Sequence, residues 1–129
     1  MKAVTYDKEL ELAYIHLLPP NMRGNVQSEE LKVNDCILLD IGLDGKIAGF
    51  ECFGEAALLC APFAGTPRIY VKDADGYHFR VRQHTSISSS YTVYGVTFCF
   101  SDALYQEFAG FDLDETMYHS AFLQRLTEK

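Results

Sequence analysis

Apolar and polar residues alternate along much of this chain with a period of two, the pattern that sends one face of a β-strand into a core. Residues 4–7 and 12–18 show it first, and the charged run Lys8-Glu9-Leu10-Glu11 between them predicts a hairpin. Pro19-Pro20 ends the second strand, because proline cannot donate to a ladder. Residues 21–34 are polar and predict a loop, with room for one short strand or turn. Residues 36–43 and 46–53 flank Asp44-Gly45, which predicts a two-residue type I′ turn with positive φ at both positions. In that register Ile41 faces Ala48, Leu39 faces Phe50 and Ile37 faces Cys52, an apolar face that must be buried.

The second half continues the pattern. Residues 54–60 (GEAALLC) predict a short helix stopped before Pro62. Residues 68–73 and 77–83 predict a third hairpin around Ala74-Asp75-Gly76. A three-residue loop with Gly76 left-handed pairs Ile69 with Val81 and Val71 with Phe79, keeping charge off one face. Residues 86–90 read as a flexible link, and 91–100 as one long strand with Tyr94, Val96, Phe98 and Phe100 on its core face. Residues 101–111 fit either a helical turn or a further strand. Residues 113–126 predict a helix, started by a capping box of Asp112 with Glu115 and burying Met117, Tyr118, Ala121, Phe122 and Leu126. The expected fold is α+β and predominantly antiparallel β. Roughly six to eight strands form a sandwich or half-open barrel, with one C-terminal helix, in a single domain over residues 1–129.

Composition narrows the class. Of 129 residues, 48% are hydrophobic and 13% aromatic, enough to bury one core and too many for a disordered chain. No apolar run approaches a membrane span, and no apolar signal stretch follows the N-terminus, so the expected location is the cytoplasm. Eighteen acidic against 11 basic residues give a net charge of −7, which opposes binding to nucleic acid. Cys36, Cys52, Cys60 and Cys99 are irregularly spaced inside apolar stretches, without a C-x-x-C pair. They are expected to be reduced, buried thiols rather than disulfides or zinc ligands.

Two blocks in the first half carry a family resemblance. The first is Tyr6-Asp7-Lys8-Glu9 with Tyr14-Ile15-His16-Leu17. The second is Ile37-Leu38-Leu39-Asp40 with Asp44-Gly45-Lys46-Ile47 and Gly49-Phe50-Glu51. In this order and spacing they resemble the small bacterial domain-of-unknown-function family 2283, over residues 1–53. The chain departs from the family pattern at Glu11, where Asp is usual, and at Gly42 and Leu43, which replace acidic positions. Residues 60–129 have no counterpart in it and read as an extension of the same core. The resemblance implies a β-rich cytoplasmic module of unassigned activity, some of whose members look like partners of small toxin-like proteins.

Three constellations are candidate sites. Residues 101–115 carry five acids and no base, interleaved with aromatics. Asp102, Tyr105, Glu107, Phe108, Asp112, Asp114 and Glu115 thus form a candidate surface for a basic partner. Arg68, Tyr70, Lys72, Arg80 and Arg82, with His78, fall on one side of the third hairpin as a candidate anion-binding face. Like charges set opposite each other there need something negative above them, whether a ligand or the acidic segment itself. Asp40, Gly42, Asp44, Gly45, Ile47 and Glu51 match positions of a calcium-loop template, but the flanks read as strands rather than the required helices. The register leaves Asp40 and Glu51 as diagonal neighbours, with two solvated carboxylates the expected state. His16 is expected to be exposed, and no nucleophile elbow, P-loop or dinucleotide fingerprint occurs. The expected function is a non-enzymatic, cofactor-free antitoxin- or immunity-type inhibitor covering the active site of a basic, toxin-like protein, with no membrane or nucleic-acid partner. The alternative is a small-ligand or divalent-metal-binding protein or enzyme using Asp40 and Glu51.

Overall fold

The structure is a computed structural model that describes residues 2–19 and 24–128. β1 (Val4–Asp7) and β2 (Leu12–His16) form the expected first hairpin. With β3 (Val26–Leu31), β4 (Asn34–Gly42) and β5 (Ile47–Phe53) they make a five-stranded antiparallel sheet in the order β1-β2-β5-β4-β3. β3 is the one strand for which the expected loop over 21–34 left room; residues 21–23 of that stretch lie outside the described residues. Within β3 only Leu31 is buried, so backbone pairing to β4, rather than an apolar face, holds this edge strand.

The Asp44-Gly45 hairpin closes differently from expectation. Gly42 N–H donates to Lys46 O at 2.9 Å and Gly45 N–H to Gly42 O at 3.0 Å. Gly45 has φ 78, and Asp44 stays out of the positive region. This is a three-residue loop in which Gly45 supplies the left-handed bulge position. Asp44 Oδ1 accepts from Lys46 N–H at 3.0 Å and steadies it. The bulge moves Ile41 from Ala48 to Ile47, while Leu39–Phe50 and Ile37–Cys52 pair as expected. The type I′ geometry sits instead at Tyr94-Gly95, φ 51 and 76, between the paired residues Val93 and Val96. The expected single strand over 91–100 is therefore a hairpin.

The second sheet holds β6 (Val71–Lys72), β7 (Gly76–Arg80), β8 (Ser89–Val93), β9 (Val96–Phe100) and β10 (Phe108–Asp114), in the order β6-β7-β10-β9-β8. Val71 pairs with His78 and Asp73 N–H donates to Gly76 O at 3.0 Å, so the turn has two residues, Ala74 and Asp75. The expected Val71–Phe79 register is off by one, and Tyr70 turns into the core instead of joining a basic face. α1 (Gly54–Cys60) matches its expected span and runs into a 3₁₀ turn at Ala61–Phe63. α2 is only Ala121–Arg125, because Phe111 and Leu113 are drawn into the core as part of β10. Its cap is Ser120, whose side chain accepts from Leu123 N–H at 3.2 Å, not Asp112.

The sheets face each other across one continuous cluster of buried side chains. Phe50 of the first sheet meets Phe98 and Phe111 of the second edge-on, at 5.2 and 5.1 Å between ring centroids. Tyr118 also ties the sheets, accepting from Ile47 N–H at 2.8 Å and donating to Tyr94 O at 2.7 Å. The fold is thus the expected antiparallel α+β arrangement with a short C-terminal helix, but the described residues form ten strands rather than six to eight, because β3 and the Tyr94-Gly95 hairpin add to the count. All four cysteines are reduced; Cys52, Cys60 and Cys99 are buried, but Cys36 is exposed, contrary to expectation. Among the described residues no helix is long and apolar enough to cross a membrane.

Candidate functional site

β7 carries Tyr77 and Phe79 inward, and the same alternation turns His78 and Arg80 outward. Opposite them on β10, Asp112 pairs with His78. Arg80 Nη1 donates to Asp112 Oδ1 at 2.8 Å and Nη2 to Oδ2 at 3.3 Å, while His78 Nδ1 lies 2.8 Å from Oδ1. His78 Nε2 lies 2.9 Å from Asp73 Oδ1, a charge contact out of line with the ring N–H. Partial burial pulls the His78 pKa down, but the two carboxylates outweigh it and raise it above its ordinary value. Burial likewise pushes Asp112 up, and Arg80 and His78 together bring it below the ordinary carboxylate range. The acidic and basic segments thus meet each other at the middle of the second sheet. Lys72 and Glu115, 2.9 Å apart, add a second link.

Beside this cluster opens a cavity of about 570 Å³, bounded by the 3₁₀ turn, the segment leading into β6, the end of β7 and the C-terminal segment. Arg68, Arg80 and Arg82 line it, with His78 and His84. Phe63, Ile69 and Val81 give it an apolar wall, and Glu128 is its acidic member. Phe63 is steadied edge-on against Phe79 at 4.9 Å. Arg80 is committed to Asp112, but among the described residues neither Arg68 nor Arg82 joins an ion pair. His84 takes a left-handed backbone at φ 62 in the turn that follows β7.

The candidate residues distribute as follows. Arg68, Arg80 and Arg82 converge on the cavity, whereas Tyr70 is fully buried and Lys72 is at the sheet edge, 5.7 Å from the Tyr77 ring. The acidic segment is spread along β10 and beyond both its ends. Asp102 folds its own loop, accepting backbone N–H from Leu104, Gln106 and Glu107 at 3.3, 3.0 and 2.8 Å. Tyr105 packs edge-on against Phe100 at 5.6 Å, and Phe108 is buried. Glu107 bonds Ser101 Oγ at 3.0 Å, and Asp114 accepts from Thr116 N–H at 2.9 Å. Leu104 remains prominent at that loop's tip, 71% exposed.

On the outer face of the first sheet, Asp40 and Glu51 are diagonal neighbours, as the register requires. Asp40 is not solvated as expected: it is 6% exposed and accepts from Tyr14 Oη and Ser28 Oγ, each at 2.7 Å. His16 is also buried rather than exposed, its ring 4.6 Å from that of Tyr14. β4 and β5 flank the calcium-like loop, so the helices of that template are replaced by strands. The cavity members that sequence reasoning did not join to Arg82 include Phe63, His84 and Glu128. No spacing links them, since residues 63, 84 and 128 meet only through the fold.

The family model described as "Protein of unknown function (DUF2283)" matches residues 3–55, which take in the whole first sheet. The uncharacterized protein YuzE of Bacillus subtilis (strain 168) is 78% identical over 129 residues, covering 100% of both chains. The chain belongs to the same family as YuzE, and the DUF2283 match is confined to its first sheet and the start of α1. No solved structure matches it. Every residue lining the cavity lies beyond the segment that the family model matches.

Proposed function

We propose that the protein binds a small organic anion in the cavity beside β7. The observation that carries this reading is that Arg68 and Arg82, neither ion-paired among the described residues, line one cavity with an apolar wall. Two guanidiniums from separate segments repel each other unless an anion lies between them. The cavity volume of about 570 Å³ falls in the range of small-molecule sites, which combine apolar lining with a few convergent polar groups. Thermal unfolding with a panel of organic anions tests the reading. A bound anion raises the melting temperature in proportion to the logarithm of its concentration, and Arg68→Gln with Arg82→Gln removes the shift. A panel that leaves the melting temperature unmoved removes the proposal.

A second reading, an antitoxin- or immunity-type inhibitor of a basic protein, draws on the loop at residues 101–107. There Asp102 pins the backbone and Leu104 is offered to solvent among acidic neighbours. Rigid apolar residues ringed by charge serve as anchors in protein recognition. Co-purification from the host at low salt separates the outcomes: a basic partner lost on Leu104→Ala supports it, and recovery of the protein alone removes it.

A further inference from the structure

The chemistry of the cavity narrows its ligand. This step rests on the organic-anion reading above and names the class of anion. A carboxylate has two oxygens, and one guanidinium fork fills them with a bidentate pair. A second guanidinium still reaches a free lone pair of that carboxylate, but the single negative charge is already balanced by the first. Arg68 and Arg82 approach the cavity from different segments, one before β6 and one just beyond β7, and so present two forks rather than one. A phosphate monoester carries three terminal oxygens and a charge of about −1.5 to −2 at neutral pH, and serves both forks at once. Arg80 and His78 also line the cavity, but both are already engaged by Asp112, and His78 by Asp73 as well. Glu128, the acidic member, is exposed, has its backbone N–H fixed to Tyr70 O at 2.7 Å, and joins no ion pair among the described residues.

Size and lining supply the other half. Inorganic phosphate leaves most of a 570 Å³ space empty and makes no use of Phe63, Ile69 and Val81. The edge-on packing of Phe63 against Phe79 holds one ring face of that wall in place, a surface suited to a flat or aliphatic ester group. We infer that the cavity takes a phosphate monoester with an apolar organic group, the phosphate on Arg68 and Arg82 and the organic group against Phe63 and Val81.

Isothermal titration of the full chain with phenyl phosphate, benzoate and inorganic phosphate tests this. Phenyl phosphate is expected to bind at one site, with benzoate and inorganic phosphate each weaker by at least about tenfold. Arg68→Gln and Arg82→Gln, both at exposed positions that leave the core untouched, are each expected to weaken phenyl phosphate by about tenfold or more. Benzoate binding as tightly as phenyl phosphate overturns the phosphate assignment and leaves the organic-anion reading standing. Inorganic phosphate binding equally well overturns the ester assignment. Failure of both phenyl phosphate and benzoate to bind overturns the organic-anion reading together with this one.

Discussion

Tyr14 reaches across the strand beside it and donates a 2.7 Å hydrogen bond from its hydroxyl to the buried carboxylate of Asp40. Gly49, the residue opposite Asp40, makes this reach possible. A Cβ at position 49 would meet the Tyr14 ring at 2.5 Å and Ile15 O at 2.7 Å. Gly49→Ala is therefore expected to destabilise the fold by about 2–3 kcal/mol, since both neighbours are packed. Tyr14→Phe keeps the ring and loses a bond to a charged acceptor, which costs about 1.5–3 kcal/mol. Urea unfolding of both variants checks the two values, and wild-type stability in either contradicts the role given to this contact.

Two other tyrosines lead to the opposite expectation. Tyr70 and Tyr77 are fully buried, and among the described residues their hydroxyls have no hydrogen-bond partner. Burial alone pushes the Tyr70 pKa far up. A buried polar group without a partner costs about 1–3 kcal/mol. Tyr70→Phe and Tyr77→Phe are thus expected to be neutral or to stabilise, by up to about 1 kcal/mol each. A loss above that size in denaturant unfolding would show that a partner exists.

The charge cluster on β7 and β10 makes stability depend on pH. The folded pKa of His78 is raised above its ordinary 6.5, so its contribution is complete below that value and is lost as pH rises through the folded one. Asp112 is lowered from 3.8, so its contribution is present above that value and is lost as pH falls through the folded one. The stability difference between wild type and His78→Gln, measured from pH 5 to 9, is expected to shrink as pH rises. A difference constant over that range contradicts the assignment.

Thiol reactivity reads out the core. Cys36 is exposed, whereas Cys52 and Cys60 are fully buried and in contact. The Cys52 pKa is pushed up by that contact and by burial, and that of Cys99 to about 11 by burial and then Asp112. A thiolate reagent is expected to modify Cys36 in the native protein and the other three only on unfolding. Mass spectrometry after brief labelling checks the count, and early loss of a second thiol would place one of the buried three nearer the surface.

Much of the fold was legible because core-facing residues obey simple alternation. β1, β2, β5 and α1 lie close to where the pattern put them, and Leu39–Phe50 and Ile37–Cys52 pair as read. Three kinds of element were not legible. β3 has almost no apolar face to announce it. The turns depend on backbone geometry that side chains only bias: Asp44-Gly45 takes a bulged loop, and Tyr94-Gly95 the type I′ turn. At residues 112–118, the helical spacing of Met117 and Tyr118 competed with the strand alternation of Phe111 and Leu113, and burial of the latter pair prevailed. The same limit governs the site. Arg68, Arg80 and Arg82 stood out as a basic group, but their sorting into one arginine bound by Asp112 and two free of ion pairs among the described residues needed the β7–β10 register. That register also explains why the net charge of −7 leaves no contiguous acidic face along β10.

Chemical-shift mapping tests the central claim most directly. Titration of isotope-labelled protein with phenyl phosphate is expected to move the backbone amides of Phe63, Ile69, Val81 and His84, while those of Leu104 and Gln106 stay in place. Movement confined to the 101–107 loop, or no saturable movement at all, would contradict an anion site built by Arg68 and Arg82.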